Sequence, residues 1–228
     1  MRADDPNYEY LLLIADALGE LCNEVVFVGG CTAGLLLTDP AAEGIRATKD
    51  VDAIVEAATL RQYYELESRL PALGFARDAN SDVICRWRHT ASGVLFDLMP
   101  IDPAILGFSN RWYSEAARTA ARVRLNDRVE IRRISAPAFV ATKLEAFLDR
   151  GCGDFLSSHD LEDVLAVVDG RSSIVDELQM APPDLRQFVR ETIGALLSEA
   201  RFANYLPGLL ADNSRANIVM ERLKEFVS

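Results

Sequence analysis

Apolar residues recur at spacings of three and four from residue 8 to 21, with Leu11, Ile14, Ala15 and Leu18 on one face, which predicts a helix. The texture then changes. Val25-Val26-Phe27-Val28 is an unbroken apolar run closed by Gly29-Gly30, the pattern of a buried strand. Residues 32–37 predict a short apolar helix leaving that strand, and the Pro- and Gly-bearing stretch 38–48 predicts a loop. A second buried strand covers 51–55, followed by a helix over 60–70 that Pro71 and Gly74 bring to an end. Between Phe75 and Met99 the texture is that of strands. Residues 83–88 and 94–99 are the two candidates, with a Ser92-Gly93 turn between them. Residues 111–123 predict a helix and 129–131 another strand.

Beyond Pro137 the helical spacing is nearly continuous, over 138–150, 158–168, 184–200 and 215–226. Gly151, Gly153, Pro182-Pro183 and Pro207-Gly208 separate these helices. The change near Ser135 to Pro137 divides the chain into a mixed α/β domain, 1–136, and a helical C-terminal domain, 137–228.

Composition narrows the class. Half of the 228 residues are hydrophobic and 26% are charged, so the chain has ample apolar surface to bury and disorder is excluded as its main state. No run approaches the ~20 apolar residues of a membrane span. Residues 1–6 are polar and acidic, unlike a secretory signal or an Arg-rich transit peptide. Cys22, Cys31, Cys85 and Cys152 lie far apart without a CxxC pair, which argues against a zinc site and a disulfide framework and for a reducing cytoplasm. A net charge of −11 argues against a general coating of nucleic acid. Between Arg111 and Arg133, however, seven arginines stand against Glu115, Asp127 and Glu130. That cluster is either a solvated face or a docking patch for phosphates. Trp87 and Trp112 read as core or interface residues rather than base-stacking platforms, and His89 and His159 as surface ones.

The chemistry concentrates between residues 25 and 97. A strand running through Gly29-Gly30 into a helix lets backbone N–H groups approach a phosphate, although the same pair serves any tight turn. In Lys49-Asp50-Val51-Asp52 the two aspartates stand at i and i+2 of a strand, on one side and ~7 Å apart. Two like charges so placed favour a cation between them, and all-oxygen ligands suit Mg²⁺; an exposed acidic strand end is the alternative. Asp97 stands alone inside the apolar strand 94–99, where a buried carboxylate needs a partner. It either joins Asp50 and Asp52, making a cluster able to hold one or two divalent ions, or pairs with Arg86 or Arg88.

Gly-Gly leading into a helix, then Asp-x-Asp on a strand, then a third Asp on a later strand resembles the nucleotidyltransferase superfamily related to polymerase β. The stretch Arg46-Ala47-Thr48-Lys49-Asp50-Val51-Asp52 is more narrowly similar to the AbiEii/AbiGii toxin family, including the MenA-like nucleotidyltransferase toxins. That family continues with a Lys on a helix and an Asp-x-x-Asp pair on a later one. Here these positions are Ala141-Thr142-Lys143-Leu144-Glu145-Ala146 and His159-Asp160-Leu161-Glu162-Asp163-Val164.

The resemblance implies an α+β fold, a mixed sheet flanked by helices and followed by a helical C-terminal part that closes over nucleotide. It implies that Asp50 and Asp52 bind Mg²⁺ or Mn²⁺ and that Asp97 is third metal ligand or base. Gly29, Gly30, Cys31, Thr32, Arg46 and Lys143 would meet an NTP, with Asp160 or Asp163 orienting Lys143 or the nucleotide. A nucleoside monophosphate would pass to an acceptor hydroxyl: that of RNA such as a tRNA 3′ end, reached through the 111–133 cluster, or that of a small molecule or protein. A cognate antitoxin would be a partner. Cys31 stands where the family often has serine, and the interval from Gly30 to Asp50 is longer than usual. Cys31 favours a second reading, a catalytically silent member that binds nucleotide or a partner protein. Lys143 reads alternatively as a solvated lysine, and Asp160 as part of a capping box with Ser157.

Overall fold

The computed structural model describes residues 5–151, 154, 155 and 157–228; Cys152, Gly153 and the polar start before Asp5 lie outside them. The chain divides into two compact units. The sheet unit gathers Pro6–Thr32 and Ala47–Ser135, and the helical unit gathers Ala33–Arg46 and Ala136–Ser228 together with Asp5.

In the sheet unit, α1 (Tyr8–Leu18) buries the expected stripe of Leu11, Ile14, Ala15 and Leu18. Next comes β1 (Val25–Val28), buried at every position. β2 (Asp50–Val55) carries the two aspartates at its open end and a buried Ala53-Ile54-Val55 at the other. The Thr48 N–H donates to the fully buried Asn7 Oδ1 at 2.7 Å, and its hydroxyl donates to the Asp50 carbonyl at 3.1 Å, so the entry to β2 is pinned. α2 (Leu60–Glu67) starts on the Thr59 cap, whose hydroxyl accepts from the Gln62 N–H at 3.2 Å. Its Tyr63, fully buried, donates to the Leu98 carbonyl at 2.7 Å.

Then follow β3 (Phe75–Arg77), β4 (Arg86–His89), β5 (Leu95–Pro100), α3 (Pro103–Leu106), α4 (Tyr113–Arg118), β6 (Ala121–Arg124) and β7 (Glu130–Arg133). The seven strands form one sheet in the order β3-β4-β5-β2-β1-β7-β6. It is mixed: β2 runs parallel to β5 and β1 to β7, and the other neighbours are antiparallel. The fold is α+β, as expected.

The helix expected over 111–123 stops at Arg118. The Thr119 hydroxyl and N–H turn back to the Glu115 carbonyl, and residues 121–124 pair with β7 instead. The pairing is fixed by a turn in which Asn126 Oδ1 accepts the N–H groups of Arg128 and Val129, both at 2.8 Å. Cross-strand pairing with β7 outweighs the intrinsic helical preference of Ala121, Arg122 and Arg124. Trp87 and Trp112 are buried, as expected.

The helical unit is built from α5 (Ala136–Gly151), α6 (His159–Gly170), α7 (Ile174–Gln179), α8 (Pro183–Ser198), α9 (Phe202–Tyr205) and α10 (Ala216–Val227). α5 packs on α6 and α8, and α10 on α6 and α8. Phe139, Val140, Leu144 and Phe147 face inward from α5, and Leu161, Val164, Leu165 and Val168 from α6. The cap of α6 is Ser158, accepting from the Leu161 N–H at 3.3 Å, rather than Ser157, which bonds Asp154.

Segment Ala33–Arg46 is fastened to the end of α6. The N–H groups of Thr38 and Asp39 both donate to the Gly170 carbonyl, at 2.8 and 2.9 Å. A Cβ on Gly170 would lie 2.6 Å from Leu37, so the glycine permits this approach. Arg215 then bridges Asp169 and Asp39, each at 2.7 Å. Among the described residues no helix is long and apolar enough to cross a membrane.

Candidate active site

Adjacent strands assemble the three aspartates. β2 and β5 run parallel with Asp52 opposite Asp97, and Asp50 precedes Asp52 by two on the same face. A ligand oxygen from each of Asp50, Asp52 and Asp97 lies within 4.8 Å of the others. Asp97 is buried, while Asp50 and Asp52 are half-buried.

The turn after β1 makes room for this cluster. Val28 pairs with Asp52 across the β1–β2 ladder, which brings Gly29 against the Asp52 carboxylate. A Cβ on Gly29 would stand 2.0 Å from Asp52 Oδ2, and Gly29 has φ +71°. Both facts demand glycine. Gly29→Ala should therefore lower stability by at least ~1–2 kcal/mol from the backbone alone. It should also displace Asp52, and a thermal melt checks the loss of stability.

Cys31 and Thr32 face the turn itself. The Thr32 hydroxyl donates to the Gly29 carbonyl at 2.9 Å and the Cys31 thiol to the Val28 carbonyl at 3.2 Å, and both side chains are buried. Gly30 begins the short 3-10 turn Gly30–Leu35 that stands where a helix was expected.

The alternative partner for Asp97 is present as well. Arg86 lies opposite Asp97 in the β4–β5 ladder. Its Nε donates to Asp97 Oδ1 at 2.8 Å and its Nη2 to Asp97 Oδ2 at 2.7 Å, a bidentate fork. The same Nη2 reaches Asp50 Oδ2 at 2.9 Å. Hydrogen bonding to Asp97 raises the guanidinium pKa further above its ordinary value, so Arg86 is a permanent cation. Arg88, the other candidate, pairs with Asp78 at 3.0 Å. Burial, followed by the Asp97 charge, pushes the nearby Cys85 thiol up to about 12, which keeps it protonated at neutral pH.

The remaining predicted residues meet in the helical unit. Lys143 Nζ on α5 is 3.1 Å from Asp160 Oδ1 and 2.7 Å from Asp163 Oδ2 on α6. Asp160 and Asp163 are one turn apart, which brings both carboxylates to one lysine. Burial works against the Lys143 charge, but the attraction of Asp163 and Asp160 outweighs it, and the net pKa is raised. Lys143 is thus a partly buried ammonium paired with two carboxylates, not a solvated lysine.

Arg46 Nη2 approaches Asp163 at 3.7 Å, and Arg150 bonds Asp160 at 2.7 Å. Arg46, Glu162 and Asp163 line a cavity of about 310 Å³ together with Gly208, Leu209, Leu210 and Ala211. His159 is exposed beside Glu162. The predicted residues therefore form two groups: the Gly29 turn with Asp50, Asp52 and Asp97 in the sheet unit, and Arg46, Lys143, Asp160 and Asp163 in the helical unit.

No family model and no curated protein sequence matches the chain. Solved structures do. An antigenic nucleotidyltransferase-like protein from Paracoccidioides brasiliensis is 19% identical over 81% of this chain and 92% of its own, with a TM-score of 0.46. The antibiotic-resistance factor ANT(2'')-Ia is 17% identical over 83% of this chain and 94% of its own, with a TM-score of 0.51. JHP933 from Helicobacter pylori is 12% identical over 100% of this chain and 93% of its own, with a TM-score of 0.48. The fold is similar to that of ANT(2'')-Ia. At these identities the likeness is one of fold, and what the site does has to be argued from its own atoms.

Arg86 is the site residue that sequence reasoning reached only in part. It was visible as a partner for Asp97, but its second contact, to Asp50, depends on the β4-β5-β2 order of the sheet. The exposed arginines of the 111–133 cluster include Arg122, Arg124 and Arg128 on the β6–β7 hairpin at one edge of the sheet, whereas Arg133 is buried. Arg118 and Arg122 pair with Glu115 and Glu130.

Proposed function

We propose that this chain is a Mg²⁺-dependent nucleotidyltransferase of the AbiEii/AbiGii toxin type, moving a nucleoside monophosphate from an NTP to an acceptor hydroxyl. The observation that carries the proposal is the convergence of Asp50, Asp52 and Asp97 within 4.8 Å on a sheet of nucleotidyltransferase-like fold. The donor set fits the metal: three carboxylates offer only hard oxygen ligands, the kind Mg²⁺ and Mn²⁺ take. Gly29 fits it too, because the space a Cβ would fill is held by the Asp52 carboxylate. A divalent ion bound there would stabilise charge developing on the transferred phosphate and the leaving pyrophosphate.

The chain's own groups divide the remaining work. Asp50 and Asp52 are ligands of this reading, and Asp97 is the third ligand or the base. Asp97 spends one lone pair of each oxygen on Arg86 and keeps others to orient or deprotonate the acceptor hydroxyl. The Lys143 ammonium has three donors, two of them directed at Asp160 and Asp163, which leaves one for a nucleotide phosphate.

RNA is the acceptor class that the β6–β7 edge favours, since Arg122, Arg124 and Arg128 are exposed there in an otherwise acidic chain. Arg124→Glu with Arg128→Glu should weaken RNA binding severalfold and flatten its salt dependence by about two phosphate contacts. Filter binding across a salt series checks this. A cytoplasmic location and a cognate antitoxin belong to the same proposal.

A second reading is favoured by Arg86, which already bridges Asp97 and Asp50: the cluster would be a structural ion network in a catalytically silent protein. Incubation with Mg²⁺, total RNA and each α-labelled NTP separates the two. Label in RNA that EDTA abolishes is the expected result. No transfer from any NTP to RNA, protein or small hydroxyl acceptors would leave the silent reading standing.

A further inference from the structure

We propose that Arg86 is the resident counter-ion of the carboxylate cluster, and that a divalent cation enters by displacing it; this rests on the reading of Asp50, Asp52 and Asp97 as a metal site. One guanidinium nitrogen, Nη2, contacts Asp97 Oδ2 at 2.7 Å and Asp50 Oδ2 at 2.9 Å. A single positively charged atom thus bridges two of three carboxylates whose oxygens lie within 4.8 Å, which is the part a shared cation plays.

An ion shared by Asp50 Oδ2 and Asp97 Oδ2 would take the place that Arg86 Nη2 holds between them. Carboxylate oxygens that share a Mg²⁺ sit about 2.0–2.1 Å from it. The same oxygens cannot also keep a nitrogen between them at hydrogen-bond distance. At least the Asp50 contact must open when the ion enters.

Charge explains why such a residue belongs here. Three carboxylates this close repel one another, and Asp97 is buried. Arg86 offsets one of the three charges and holds two of the carboxylates in place before any ion arrives. Its backbone stays in register with Asp97 on β4, so the displaced side chain remains tethered beside the site. The consequence is a site whose affinity for free metal is held down, so that the ion is taken up together with the nucleotide phosphates that add ligands.

Mn²⁺ alone is the probe, titrated by electron paramagnetic resonance into wild type, R86Q and R86K without nucleotide. R86Q should bind Mn²⁺ about tenfold or more tightly than wild type, since charge-assisted hydrogen bonds to the ligands no longer have to break. R86K keeps the charge but loses the fork and should fall between. Mn²⁺ should also raise the melting temperature of R86Q more than that of wild type. If R86Q does not fold without metal, R86K carries the comparison and should still bind more tightly than wild type.

Equal or weaker Mn²⁺ affinity in both variants, with wild type binding, would overturn this inference and leave the metal site intact. Binding by R86Q with none by wild type would support it in its strongest form. No binding by any of the three proteins would overturn the metal reading itself, and this inference with it.

Discussion

On the proposed reading, Asp52→Ala should abolish transfer and leave the fold standing. Asp52 faces the Gly29 turn and lies opposite Asp97, in a group of three close carboxylates. Removing one of several like charges relieves repulsion when metal is absent, so the metal-free melting temperature should stay level or rise slightly. On the proposed reading Asp52 is a metal ligand, and its loss removes stabilisation made in the transition state, worth several kcal/mol, so transfer should fall by about three orders of magnitude or more. Asp97→Ala is the contrast. It strips Arg86 of its bidentate partner and leaves a partly buried guanidinium poorly paired, at a cost of about 2–4 kcal/mol. Melts in EDTA alongside labelled-NTP transfer distinguish the two variants. A large loss of stability in Asp52→Ala would make that residue a structural partner rather than a ligand.

The difference between these aspartates shows how far the sequence could be read. The i, i+2 spacing of Asp50 and Asp52 and the lone Asp97 in an apolar strand were enough to expect convergence, because strand periodicity fixes which face a residue takes. The parallel pairing of β2 with β5 was not readable. Those strands are joined through α2, β3 and β4, and nothing local to either sets their register. For the same reason Gly29 read as a turn for phosphate. Its demand for space comes from Asp52 on the neighbouring strand, which is distant in sequence. Arg86 owes its double contact to the β4-β5-β2 order, and residues 121–124 form β6 only because β7 is there to pair with. The long helices were plain, since α5 and α6 carry their apolar stripes in contiguous sequence. The boundary residue at Ser158 was missed by one position because two adjacent serines offer the same capping chemistry.

Lys143→Ala should have two effects that must be separated. The first is structural. Lys143 holds the buried carboxylates of Asp160 and Asp163, and removing it leaves both without that cation, a change worth about 3–5 kcal/mol for a buried pair. The second is functional on the proposed reading: nucleotide affinity and transfer should both fall, while Mn²⁺ binding to Asp50, Asp52 and Asp97 should be nearly unchanged. A triple variant distinguishes them. Lys143→Met with Asp160→Asn and Asp163→Asn removes the charges together and should recover much of the stability, yet it should not recover NTP binding. Lys143→Arg should rescue only in part, because a planar fork does not replace a compact ammonium between two carboxylates and a phosphate. The pH dependence adds an independent check. The folded-state pKa of Lys143 is raised above 10.5, so its contribution to stability is complete below that pH and is lost only as the pH climbs through the folded value. The stability gap between wild type and the triple variant should therefore hold constant from neutral pH to about 10 and close above it. NTP titrations that give equal affinity and equal turnover for wild type and the triple variant would reduce Lys143 to a structural ion pair. The proposed nucleotide contact of Lys143 would then fall.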